Sequence, residues 1–192
     1  MMSSSNAMSS IGDRILEAAA YCVRAYGIDR VTLAEIARRA RVSRPTVYRR
    51  WPDTNSILAA LLTSRIVAVL DDVPAECVGR QALVDRIVTV AQRLRQDDVV
   101  MSVLHSVPDL AMVYIAERLG TSQQILLDAV AGEIKLAQEE GSVRDGDPCQ
   151  LAAMCLLITQ STIQSGRIVA PILDADTLAD ELARCLNGYL KP

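Results

Sequence analysis

From Arg30 to Arg50 the sequence sets seven arginines, Arg30, Arg38, Arg39, Arg41, Arg44, Arg49 and Arg50, against a single acid, Glu35. A guanidinium is always charged and presents a fork of N–H donors that fits phosphate oxygens and base edges. Solvated helix faces usually mix signs, so a one-signed run needs another explanation. Residues 1–65 hold 10 Arg and 5 acidic residues, a balance of +5, whereas residues 66–192 hold 10 basic and 18 acidic, a balance of −8, which leaves the 192-residue chain at −3. A small basic footprint on an acidic remainder suits an anionic polymer, because each phosphate contact releases condensed counterions. Charge alone leaves the partner open; the local pattern has to decide it.

Other chemistries find less support. The one histidine, His105, stands in no recognised nucleophile context, and Lys135 and Lys191 are the only lysines. There is no phosphate-binding glycine loop and no H-E-x-x-H pair, so no catalytic residue is assigned and the chain is not expected to be an enzyme. The five cysteines (Cys22, Cys77, Cys149, Cys155, Cys185) include no C-x-x-C, so neither a metal site nor a cofactor is expected, and they read as reduced thiols of a cytoplasmic protein. The longest uncharged stretch, residues 148–166, is broken by Gln150, Thr159, Gln160, Ser161, Thr162, Gln164 and Ser165, so no membrane partner is expected. The Ser-rich start lacks a basic-then-apolar leader pattern, and Ser5-Asn6-Ala7-Met8 reads as a cloning remnant before a native Met8.

The elements that must position the arginines are helices. Apolar residues recur at helical spacing throughout, and no segment alternates long enough for a strand. Ile11, Ile15, Ala18, Ala19 and Cys22 share a face of a first helix, with Ser10 and Asp13 as a capping box and Gly27 as its stop. A second helix opens at Thr32, with Glu35 placed to complete another box, and ends near Ala40. A third begins at Ser43, with Pro45 in its first turn. Pro52-Asp53 starts a fourth that closes before Pro74. Later helices are expected over Gln81–Gln96, Asp98–Ser106, Asp109–Glu140 with a kink near Gly120, Pro148–Ser165 and Ala175–Leu190.

Helices two and three, joined by Ala40-Arg41-Val42, have helix-turn-helix spacing. The second helix of such a unit enters the major groove with its N-terminal residues at base edges. Arg44 suits a bidentate bond to guanine and Thr46 a base or thymine methyl, while Ser43, Tyr48 and Arg49 reach phosphates.

The run from Arg14 to Leu62 (R-I-L-E-A-A…Y-G-I-D-R-V-T-L-A-E-I-A-R-R-A-R-V-S-R-P-T-V-Y-R-R-W-P-D-T-N-S-I-L) closely resembles the N-terminal domain of TetR-family transcriptional regulators. The matching positions include Ile15, Leu16, Ala18, Ala19, Gly27, Thr32, Ile36, Ala37, Ala40, Val42, Ser43, Thr46, Tyr48, Trp51 and Leu58. The resemblance implies a homodimeric repressor that binds double-stranded DNA at a palindromic operator. It also implies an all-α fold, with a three-helix DNA-binding domain (residues 10–56) and a helical domain for ligand binding and dimerisation (residues 57–192). The DNA-binding set is then Thr32, Arg41, Ser43, Arg44, Pro45, Thr46, Tyr48, Arg49 and Thr54. Three departures stand out. Val23 replaces a usual Phe, Arg41 replaces the usual turn Gly, and Thr54-Asn55 replaces Lys-Glu, leaving the fourth helix N-terminus and the Thr54 hydroxyl to hold a phosphate. Trp51 reads as core.

In the acidic half, Asp147-Pro148-Cys149-Gln150 is a strong helix start. One stripe of that helix carries Leu151, Met154, Cys155, Ile158 and Thr162, another Ala152, Leu156, Thr159 and Ile163; two apolar stripes demand two neighbours. The last helix contributes Leu178, Leu182, Cys185, Leu186 and Tyr189. The resemblance implies a four-helix dimer interface from these two helices, using Leu151, Cys155, Ile158, Thr162, Leu178, Leu182, Leu186 and Tyr189. It implies also a ligand cavity, for which Met101, Leu104, His105, Met112, Tyr114 and Ile115 are the candidates, with Val113 between them. An aliphatic, Met-containing wall with no Phe suits a small, mainly apolar effector. A DNA-binding regulator without an effector, or an architectural protein, is the alternative.

Overall fold

Ser10 accepts a hydrogen bond from the Asp13 amide, and the Asp13 carboxylate accepts from the Ser10 amide, a closed box that opens helix α1 (Ile11–Tyr26). Gly27, at φ 77°, ends it in a conformation a β-carbon would disfavour. The computed structural model describes residues 10–106 and 120–192, and every regular element among them is helical. After a 3₁₀ turn (Ile28–Arg30) come α2 (Leu33–Ala40), α3 (Arg44–Tyr48), α4 (Thr54–Asp72), α5 (Arg80–Gln96) and α6 (Asp98–Ser106). These are followed by α7 (Thr121–Glu139), α8 (Pro148–Val169) and α9 (Ala175–Leu190). Helices longer than about ten residues carrying one or two apolar stripes give the all-α architecture.

Two expected boundaries move. Gly120 does not kink a continuing helix: with φ −75° and ψ 168° it is the extended N-cap of α7, and its amide donates to the Gln123 side chain at 2.9 Å. The expected residues 109–119 of that helix lie outside the described residues. At the other end, α8 runs on past Ser165 to Val169.

The chain divides into two compact units, Met1–Ser64 and Arg65–Pro192, with the division inside α4. In the first unit α1 packs on α2 and α2 on α3. Ile15, Ala19, Cys22, Ile36, Val47 and Ile57 are fully buried, and Val23 is absorbed into the same core. In the second unit α5 is the hub, packing against α6, α7, α8 and α9. Its buried stripe, Leu83, Val84, Ile87, Val90, Ala91 and Leu94, shows why: spacings of three and four keep one face inward for about three turns.

Several polar groups inside the second unit are paired, while Arg80 Nε and Nη1 and Asn187 Oδ1 are buried without a hydrogen-bond partner among the described residues. Arg86 on α5 bonds the Glu133 carboxylate on α7 and donates to the Val73 carbonyl at 2.6 Å. Burial lifts the Glu133 carboxyl above its usual range, and the Arg86 charge pulls the other way. Gln123 donates to Gln160 at 2.6 Å, joining α7 to α8. Arg144 donates to the Leu190 carbonyl through its amide (2.9 Å) and to the Tyr189 carbonyl through Nε (2.9 Å), satisfying the open end of α9. By length and composition α4 is the one described helix able to cross a membrane. Ile57, Leu58, Leu61 and Leu62 on it are buried, however, and Arg65 in its middle pairs with Asp97 at 3.2 Å, so one face of it packs on the protein.

Candidate nucleic-acid interface

The α2–α3 unit is built by caps. Thr32 accepts from the Glu35 amide at 3.2 Å and starts α2. Glu35 does not return the bond as a capping box; its carboxylate accepts from Arg38 at 2.9 and 2.6 Å. A bidentate guanidinium outcompetes one backbone N–H for a carboxylate, and that hydrogen bond holds the Glu35 carboxyl below its usual range. At the far end Arg41 adopts φ 54° and ψ 46°, among the described residues the one non-glycine residue with positive φ. The amides of Arg41 and Val42 return to the Arg38 and Ala37 carbonyls at 3.3 and 3.1 Å and close the helix.

Ser43 then caps α3. Its hydroxyl accepts from the Thr46 amide at 3.3 Å and shares a 2.7 Å bond with the Thr46 hydroxyl. Val47 is the buried anchor of this short helix. Around it Arg41, Ser43, Arg44, Pro45, Tyr48 and Arg49 are exposed together and Thr46 is half-buried. Thr32 is exposed at the start of α2, with its hydroxyl committed to the cap. Tyr48, 49% exposed, presents a ring edge and a hydroxyl where an unliganded domain gains nothing from them. Trp51 is half-buried, its amide bonded to the Val47 carbonyl at 2.9 Å.

The N-terminus of α4 differs from the expectation of a phosphate seat at Thr54. The Asp53 carboxylate occupies it, accepting from the Ser56 amide and hydroxyl, both at 2.7 Å, and these bonds hold that carboxyl below its usual range. A phosphate placed there would meet a fixed negative charge.

Charge counting finds arginines but not their roles. Arg14 on α1 donates to the Ala40 carbonyl at 2.8 Å, tying α1 to the last turn of α2. Arg39 lies 3.0 Å above the Tyr21 ring centroid, and Arg50 reaches back over Gly12, where a β-carbon would stand 2.6 Å from its Nη1. Among the described residues Arg38 is the one arginine of the first unit in an ion pair.

In the second unit the expected ligand residues Met101 and Leu104 are half-buried and His105 is exposed, its ring nitrogens 3.0 Å from the Met101 carbonyl and 3.3 Å from that of Gln164. Met112, Val113, Tyr114 and Ile115 lie outside the described residues. Of the expected dimer residues, Leu151, Cys155, Leu178, Leu182 and Leu186 are buried within the subunit. Burial pushes the Cys155 thiol up to about 11, as suits a protonated core thiol. The Tyr189 ring lies under Arg144 at 4.6 Å, while Ile158 and Thr162 are half-buried and bonded to each other, hydroxyl to carbonyl, at 2.9 Å. Leu151, Cys155, Leu178, Leu182 and Leu186 thus belong to the subunit's own core, whereas Ile158, Thr162 and Tyr189 stay partly accessible. On α8 the large apolar residues left outside are Met154, Leu157 and Ile168, 42%, 61% and 79% exposed; Val78, Leu136 and Ile172 are exposed elsewhere in the unit.

The left-handed turn gives a direct test. Arg41→Gly removes the β-carbon clash and should stabilise the fold by about 0.5–1 kcal/mol, read as a higher urea midpoint at unchanged slope. A lower midpoint would show that the Arg41 side chain holds the turn.

Residues 15–61 match the model of the bacterial regulatory proteins of the tetR family. Over 190 residues the chain is 63% identical to an HTH-type transcriptional regulator of Mycobacterium bovis, covering 99% of this chain and 100% of that one. Among solved structures it is similar to the TetR-family repressor QsdR of R. erythropolis (TM-score 0.69, 17% identity, 95% and 96% of the two chains). It is similar too to the regulator FadR of Bacillus subtilis in complex with stearoyl-CoA (TM-score 0.60, 17% identity, 92% and 98%). With its capped helix-turn-helix, its all-helical second unit and a relative alike over the whole length, the chain belongs to the TetR family of DNA-binding transcriptional regulators.

Proposed function

We propose that the protein is a homodimeric repressor of the cytoplasm, which α3 docks on a palindromic operator and a small, mainly apolar effector releases. The observation that carries the DNA reading is the exposed set Arg44, Pro45, Tyr48 and Arg49 around the Ser43 cap, whose arginines make no ion pair among the described residues. Thr46 and Arg41 adjoin it, and Thr32 stands at the start of α2. In a two-fold dimer two such helices address half-sites about 34–36 Å apart. Arg44→Ala should cost about 1–3 kcal/mol and relax preference at one base position, whereas Arg49→Ala should weaken all sequences evenly. Unchanged operator affinity of an Arg44→Ala, Tyr48→Ala double variant in a gel-shift titration would defeat the reading.

The dimer surface belongs on the outer seam of α8 rather than on its buried stripes. Met154, Leu157, Ser161 and Ile168 are all exposed and follow heptad spacing, the seam along which two helices pair. Leu157→Glu should give a folded monomer in sedimentation, whereas Leu182→Glu buries a charge in the subunit core and should unfold it. A dimeric Leu157→Glu protein would put the interface elsewhere.

Met101, Leu104 and His105, with Met112, Tyr114 and Ile115, are the residues proposed to meet the effector. A complex of the similar B. subtilis regulator with stearoyl-CoA supports a ligand with a long apolar part. Helix α4 starts in one unit and ends in the other without a break, so a tilt of it is the route by which a ligand alters α3. A coupling of about 1–3 kcal/mol would weaken DNA binding 5- to 150-fold, and by linkage operator DNA must weaken the ligand equally. A ligand found by thermal-shift screening that binds equally well with and without saturating operator would rule out this release mechanism.

A further inference from the structure

One concave surface of the first unit lies off the recognition helix. A groove of about 450 Å³ on α1 and the end of α2 is lined by Arg14, Glu17, Tyr21, Arg24, Arg39 and Arg41. None of its four guanidiniums pairs with a carboxylate among the described residues. One carboxylate against four guanidiniums leaves the lining at +3. The wall is organised in advance: Arg39 is stacked on Tyr21, whose ring meets that of Tyr26 edge-on at 6.3 Å, and Arg14 is tied to the Ala40 carbonyl. A concave wall with an excess of positive charge, two of whose guanidiniums (Arg14 and Arg39) are held in place, is a site for an anion.

The chemistry of the anion follows from position and length. Arg41 closes one end of the groove two residues before Ser43, the cap of the helix proposed to read bases. From Arg14 to Arg24 the α1 stripe extends ten residues, roughly 15 Å at 1.5 Å per residue. That is about four base-pair steps of one strand at 3.4 Å each. A small anion would use one end only. Helix α4 offers no alternative seat, since the Asp53 carboxylate fills its N-terminus.

We propose that this groove seats the sugar–phosphate backbone flanking the half-site, so that the footprint of each protomer extends past the bases that α3 touches. The proposal rests on the DNA-binding reading above. Arg24, Arg39 and Arg41 hold phosphates, Arg14 fixes the groove's shape, and Glu17 limits the affinity.

The test uses full-length protein and a duplex selected by it from a random library, either with long flanks or trimmed to the selected half-sites. Wild type should bind the long duplex more tightly. Arg24→Gln with Arg39→Gln should lose roughly five- to tenfold per contact at 0.1 M salt on the long duplex and lower the salt slope by about 0.9 per phosphate lost. Trimming should then cost that variant nothing more. Arg24→Lys should restore part of the loss, and Glu17→Gln should tighten the long duplex only. These positions are on the helix surface, and thermal melts that match wild type check the fold. The proposal is overturned if the double variant binds both duplexes as wild type does, or if trimming weakens the two proteins equally. It is overturned as well if trimming has no effect while inorganic pyrophosphate raises the melting temperature of wild type but not of the variant, which marks a small-anion site. If selection enriches no sequence, or Arg44→Ala binds the enriched one unchanged, the DNA reading itself falls. If only the flank dependence is missing, that reading stands and the groove assignment goes.

Discussion

The left-handed backbone at Arg41 is the constraint on which the join between α2 and α3 depends. It turns the chain out of α2 within three residues, so that Ser43 arrives extended and caps α3. The conformation costs an L-residue about 1–2 kcal/mol, and it persists because everything around it demands it. The Val42 amide is bound back to Ala37, Val47 is sealed in the core, and Arg14 grips the Ala40 carbonyl one residue before the turn. A glycine would relax the backbone without strain but would carry no charge. An arginine here accepts backbone strain and places a cation beside the start of α3.

Helix starts were legible in the sequence because capping is local chemistry. Ser10 with Asp13, Thr32, Ser43 and Asp147 all cap where residue type and spacing say they should. Competition between equally local partners was not legible. Glu35 sits where a capping box needs it and chooses Arg38, because two charged N–H donors beat one neutral one. Asp53 takes the N-terminus of α4 from Thr54 for a related reason: a full charge satisfies the helix end better than a hydroxyl.

Burial partners were less legible still. The stripes on α8 and α9 announce that these helices are covered, but periodicity carries no information on whether the cover is the same chain or a second one. Here the subunit uses the strongest stripe for itself, Leu151 and Cys155 against a core that includes Leu182 and Leu186. A thinner seam, with Ser161 between Leu157 and Ile168, stays exposed. Small residues at the centre of such a seam let two helices approach closely, so its modest hydrophobicity does not argue against an interface.

The two halves of the chain spend charge in opposite ways. In the acidic unit Arg65, Arg86 and Arg184 are each matched to a carboxylate, and Arg144 is bonded to backbone carbonyls. In the basic unit one pair, Arg38 with Glu35, is matched among the described residues, and the remaining arginines repel one another. Because the screening length is about 8–10 Å at physiological salt, that repulsion is confined to near neighbours and costs the free domain little. A phosphate array removes it and releases counterions in the same step. Arg14, Arg38 and Arg39 still serve the free domain, through the Ala40 carbonyl, the Glu35 carboxylate and the Tyr21 ring, whereas exposed Arg44 and Arg49 make no ion pair among the described residues and would gain most from an anionic partner.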